Sequence, residues 1–272
     1  MKGEGAYAVA ALACGLAVAA AEVPSLVPAF ILCALGMLHG AVDMRGHRIV
    51  LPDAGFVIAY LAIGLVAAIT IWLAPLHGLI GFFALSAWHF AREEQARDTP
   101  APAAWGEGLV LIGAVFLLRP QATEALLQSM GTIWPAGATI WLALIGATGF
   151  ALMLVGRRWT RTALLLGGYA LFDPLLGIAL HFAMLHAAPR FFELAAASSW
   201  PRLFRAAAPF AALAIVGGGL LLGGVAAGAI APALFTAAAL AILIPHMLMD
   251  RSLELGRPAS PSHLSGTMSA RK

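Results

Sequence analysis

Apolar runs, cut by proline, glycine and clusters of charge, divide this chain into about ten helical segments. They cover residues 6–21, 26–44, 54–73, 76–91, 106–118 and 135–155. A seventh starts near Thr162 and meets Asp173-Pro174, where a helix should break; the rest cover 175–194, 206–228 and 231–250. A weaker stretch with Glu124 and Gln128 reads as interfacial. The pattern predicts an all-α fold, a polytopic integral membrane helix bundle of about eight to ten transmembrane helices. Residues 1–255 form a single transmembrane domain, and the Ser-, Pro- and Gly-rich stretch 256–272 is expected to be a disordered cytoplasmic tail. Residues 1–21 have some features of a secretory signal, but Glu4 spoils the basic leader, so they read as the first membrane helix.

Composition agrees: 61% of residues are hydrophobic and 11% charged, against about 25% charged in soluble proteins. Basic clusters follow the even-numbered segments: Arg45 and Arg48, Arg92 and Arg97, Arg157, Arg158 and Arg161, Arg190, Arg202 and Arg205, then Arg251 and Arg257. Such alternation puts all of them on the cytoplasmic side of the inner (plasma) membrane, with both termini. Arg119 is the exception. The net charge of +3 reflects those loops and implies no nucleic-acid partner. Cys14 and Cys33 lie inside apolar runs and define neither a disulfide framework nor a thiolate metal site.

Polar chemistry inside the apolar runs is sparse, which makes four histidines stand out. His39, His89, His186 and His246 precede Arg45, Arg92, Arg190 and Arg251 by six, three, four and five residues. At 1.5 Å per residue that is one layer roughly 5–9 Å below the charged boundary, on segments that all run outside to inside. Intramembrane ionisable groups are function candidates, and one imidazole from each of several facing helices is how a bundle builds a metal site. Asp43, Glu93 and Asp250 each follow a histidine by four residues. One helical turn later, each acid is placed to accept the second ring N–H of its histidine, or to enter the site itself. Imidazole ligation suits Fe, Cu, Ni or Zn. His181, five residues before His186, is turned about 140° from it on a regular helix. It is a packing residue, or a fifth ligand only where the helix is distorted. A lone intramembrane histidine is as often a packing hydrogen-bonder, and Glu93 beside Arg92 could equally be an interfacial anchor. HExxH, GxSxG, P-loop and CxxC motifs are absent.

The stretches LHGAVD, SAWHF, FAMLHAAPR and IPHM resemble the Brp/Blh family of membrane-embedded β-carotene-cleaving oxygenases. The resemblance runs from the second segment to the tenth. It implies a non-haem iron dioxygenase, with Fe(2+) as cofactor, that splits the central double bond of β-carotene, or of a related carotenoid, with O2 to give retinal. It also implies a functional link to a retinal-binding rhodopsin. His39, His89, His186 and His246 are the matching histidines. The chain departs from the family at Arg190, where a second histidine is usual. Two other readings of the histidines stand beside this one: a b-type haem protein, and a metal or proton transporter with a His/acid relay.

Overall fold

The computed structural model describes residues 4–22, 25–37, 43–45, 48–50, 54–129, 131–197 and 199–249. Among them the architecture is a helical bundle: α1 (Glu4–Ala20), α2 (Leu26–Gly36), α3 (Ala54–Leu73), α4 (Pro75–Ala96), α5 (Ala101–Leu118), α6 (Pro120–Ser129), α7 (Ala138–Val155), α8 (Trp159–Leu171), α9 (Pro174–Leu180), α10 (Ala188–Ala197), α11 (Trp200–Ala226) and α12 (Pro232–Met249). A π-helical turn, His181–Ala187, joins α9 to α10. Five stretches are long and apolar enough to cross a membrane alone: Ala54–Leu73, Ala101–Leu118, Ala138–Val155, Pro174–Ala196 and Pro232–Met249. Shorter apolar helices at Val9–Ala20, Leu26–Gly36 and Ile215–Ala226 add to them. Large apolar side chains such as Leu65 (63% exposed), Trp141 (70%) and Leu220 (71%) face outward. That surface would be untenable in water at this density and is ordinary in lipid.

The centre is α5. Val110, Ala114 and Val115 are almost fully buried, and the main core gathers Phe150, Met153, Leu165, Tyr169 and Leu185 around them. With little hydrophobic drive between helices in lipid, close backbone approach does the packing. A Cβ on Gly106 of α5 would lie 2.7 Å from the Gly149 carbonyl oxygen of α7, and Gly113 meets Gly146 in the same way. On the other side, Gly108 sits against the Ala87 carbonyl of α4, two residues before His89. The glycines of α5 therefore set how near α4 and its histidine stand to the core.

Two expected boundaries shift. The segment expected over 26–44 closes as a helix at Gly36, and Asp43 falls in a short strand, Asp43–Arg45, paired antiparallel with Arg48–Val50. The three glycines and Asp43 of GMLHGAVDMRGHR are poor helix formers, and they win over hydropathy. The shared helical face expected for His39 and Asp43 therefore does not form, because Asp43 is not helical. In the other direction, α4 runs through Ala96 rather than ending at Ala91, which carries Glu93 and Glu94 into the interior as helical residues. The break at Asp173-Pro174 occurs as expected: the Asp173 carboxylate caps α9 by accepting from the Leu175 N–H at 2.9 Å, with Pro174 at the first helical position. The tail expected over 256–272 lies outside the described residues.

Candidate metal centre

Helices α4 and α12 and the π-helical turn bring three of the four histidines together. His89 is 1% exposed, and neither ring nitrogen has a hydrogen-bond partner among the described residues. An unsatisfied buried polar group costs about 1–3 kcal/mol. His89 is therefore poorly explained as a packing residue and well explained as a ligand. His186 comes from the π-helical turn; its ring centroid is 5.9 Å from that of His89. His246 comes from α12, with its centroid 5.3 Å from His89. The Ser86 hydroxyl, one turn before His89, donates to the Met247 sulfur at 3.5 Å and pins α12 to α4. Pro245, just before His246, has no N–H for the Ala241 carbonyl. Gly64 of α3 lets that exposed carbonyl in, since a Cβ there would lie 3.1 Å from the oxygen.

Spacing along α4 pairs Glu93 with His89, one helical turn earlier. The structure pairs it otherwise: its Oε2 lies 2.8 Å from Nε2 of His186, across the helix interface. Ligand atoms of His89, Glu93 and His186 all fall within 4.8 Å of one another, and all three residues are buried. Atoms bound to one ion at about 2.1 Å lie roughly 3–4.2 Å apart, so a shift of under an ångström closes this group on a metal. Phe90 and Phe182 wall the site, with ring centroids 4.1 and 5.8 Å from that of His186. The last residue of α2, Gly36, abuts the Phe182 ring, so α2 ends beside the site.

The remaining sequence candidates separate. His39 and Asp250 lie outside the described residues. For Asp43 the backbone is described, as above. His181 does sit on a distorted helix, but it looks elsewhere: its Nδ1 is 2.8 Å from the Tyr169 hydroxyl and its Nε2 3.6 Å from Glu107. With both nitrogens so engaged, it is not part of the His89 group. Arg190, where relatives in the resembled family have histidine, reaches Glu193 at 3.1 Å at the bundle edge. Arg190→Ala should leave activity within about twofold of wild type, since exposed ion pairs contribute little; a larger loss would put Arg190 in the site.

A second buried cluster lies beside the first, and little in the sequence announces it. Glu107, alone in the apolar α5, contacts Arg161. Arg161 is also 3.8 Å from Glu94, and Arg97 donates to Glu94 at 2.8 Å. Glu94 accepts from Thr99, which in turn accepts from Arg158 at 2.6 Å. An acid in an apolar run is the one available signal for Glu107. Arg97, Arg158 and Arg161 are hidden because, in the sequence, they read as loop charges.

The described residues thus form a multi-helix bundle of apolar, membrane-spanning length, with two buried histidines and a buried carboxylate that offer three donor atoms to a metal ion. The model of the beta-carotene 15,15'-dioxygenase family matches residues 30–254, most of the chain, and the protein belongs to that family. Membership places it among carotenoid dioxygenases. No curated protein and no solved structure matches the chain.

Proposed function

We propose that the protein cleaves the central double bond of β-carotene with O2 and releases two molecules of retinal into the membrane. Ferrous iron is the proposed cofactor, held by His89, His186 and Glu93 with His246 alongside. His39 is assigned to the same site because α2 ends against Phe182, just before it. The observation that carries this reading is the convergence of His89, Glu93 and His186 within 4.8 Å. Two histidines and a carboxylate with open positions is the donor set of non-haem Fe(II) oxygenases. When bound, ferrous iron supplies the centre at which O2 is activated.

The chain itself contributes position and dryness. Glu93 balances charge in a site that otherwise offers only neutral imidazoles. Phe90 and Phe182 exclude water and fix the plane of the His186 ring. The polyene is stiff and apolar, so its register is set by the apolar walls rather than by hydrogen bonds. A haem bound by two axial histidines would need the macrocycle between its ligands. The His89 and His246 rings are in direct contact, and so are those of His89 and His186. A relay across the membrane is not favoured either, since the described cluster gathers near one end of α4 and α12. Asp250 retains its proposed role as an acid partner of His246. Retinal released in the bilayer is available to a retinal-binding rhodopsin, the proposed functional partner.

The test is expression in cells that accumulate β-carotene, with retinal quantified and iron measured in the purified protein. Bleaching with about two retinals per carotene lost, and iron near one per chain, is the expected result. Colour retained and no iron would overturn it.

A further inference from the structure

We propose that Arg161 and Arg97, anchored by Glu107 and Glu94, are positioning residues that clamp the π-helical turn and so aim His186 at His89 and Glu93. The inference rests on the metal reading above, and adds residues that lie outside the metal site.

The argument begins at Pro189. It has no N–H, and in an α-helix the carbonyl four residues back, that of Leu185, would lose its partner and clash with the proline ring. The helix widens into a π-turn over His181–Ala187, where bonds run five residues rather than four, as the Ala188 N–H to the Ala183 carbonyl does. Arg161 then donates from Nη2 to the Leu185 carbonyl at 3.2 Å. Arg97 points Nη2 at the next carbonyl, that of His186 itself, at 3.4 Å. The two guanidinium groups thus hold the two peptide units that flank the His186 Cα. The other end of the turn is held too: His181 is fixed by Tyr169 and Glu107. Glu107 touches both His181 and Arg161, so one carboxylate ties the two ends of the turn together.

The acids explain how the arginines can be there. Arg161 is 8% exposed, Glu107 2% and Glu94 3%. Buried ion pairs are seldom more stable than apolar packing of equal volume, so stability alone gives no reason for this cluster. Its contacts end on the two successive carbonyls that flank the His186 Cα, which does. Arg97 serves Glu94 through Nη1 and the His186 carbonyl through Nη2, while Arg161 sets a single Nη2 between Glu107 and the Leu185 carbonyl; a lysine ammonium, on a shorter and freely rotating stem, does not hold that position.

The discriminating variant is Arg161→Lys, which keeps a charge near Glu107 but not the rigid planar group that carries Nη2 to the Leu185 carbonyl. Full-length wild type and variant are compared in nanodiscs by three readouts: melting temperature, hydrogen exchange of the amides in 185–191, and visible absorption of the Co(II)-loaded protein. The expected result is a melting temperature close to wild type, faster exchange confined to 185–191, altered Co(II) bands and Co(II) affinity lower by about 10-fold, as for other groups that orient a ligand. Wild-type exchange and bands in Arg161→Lys would overturn the clamp. If Arg161→Lys does not accumulate, Arg97→Gln, which loses the contact to the His186 carbonyl, is read by the same criteria. If wild type itself takes up no Co(II), the metal reading fails, and the exchange data alone decide whether the turn is clamped.

Discussion

His89→Ala should leave β-carotene-accumulating cells fully coloured, with retinal at the level of an empty vector, while the protein still reaches the membrane in wild-type amount. The two halves of that expectation have different causes. Activity depends on the imidazole, because His89 is one of only three donors that converge within 4.8 Å among the described residues, and its loss leaves His186 and Glu93. A loss of about 100-fold or more is expected, beyond that of groups which only orient ligands. Folding does not depend on it, because among the described residues His89 makes no hydrogen bond whose loss would strand a partner. The cavity left behind is offset by removal of an unsatisfied buried ring. His186→Ala should match it in activity and cost more stability, since that ring packs on both Phe90 and Phe182. Retinal output in His89→Ala above about a tenth of wild type would remove His89 from the reaction.

How far the sequence can be read differs between the two halves of the site. Depth is legible, because a helix converts residue number to distance: His89, His186 and His246 each precede an arginine by about one turn, and the structure brings these three together. Partnership is not legible. Glu93 lies one turn after His89, so spacing on one helix pairs it with that ring; the crossing of α4 with the π-helical turn gives it to His186 instead. The end of α2 at Gly36 is obscured because hydropathy carries on past it, whereas helix propensity does not. The π-turn does leave a trace in the sequence: Pro189 stands four residues after Leu185, inside an apolar run. The Glu107 and Arg161 pair is hidden for a more general reason. An arginine near a membrane boundary is counted as a loop charge by the rule that orients the bundle. Only packing tells whether its side chain turns outward to water or inward to an acid.

Glu107→Leu should destabilise the fold more than the loss of either His89 or His186. The glutamate is 2% exposed and contacts Arg161, which is 8% exposed. Removing the acid leaves a buried guanidinium short of its main counter-charge, a change worth about 3–5 kcal/mol. Net stabilities of folded domains are about 5–15 kcal/mol, so accumulation in the membrane should fall several-fold and the melting temperature of the remainder should drop. Glu94 at 3.8 Å from Arg161 softens the loss without replacing it, because it already holds Arg97 and Thr99. The double variant Glu107→Leu/Arg161→Met separates stability from function. With neither charge buried, accumulation should return towards wild type, since apolar replacement of a whole buried pair is often neutral. Carotenoid cleavage should not return with it, because the Leu185 carbonyl has lost its donor and the turn bearing His186 its clamp. A single Glu107→Leu variant that accumulates and melts as wild type does would show that Arg161 draws its counter-charge from Glu94. A double variant that regains both accumulation and activity would reduce the cluster to a stability element and leave His186 positioned by Phe90 and Phe182 alone.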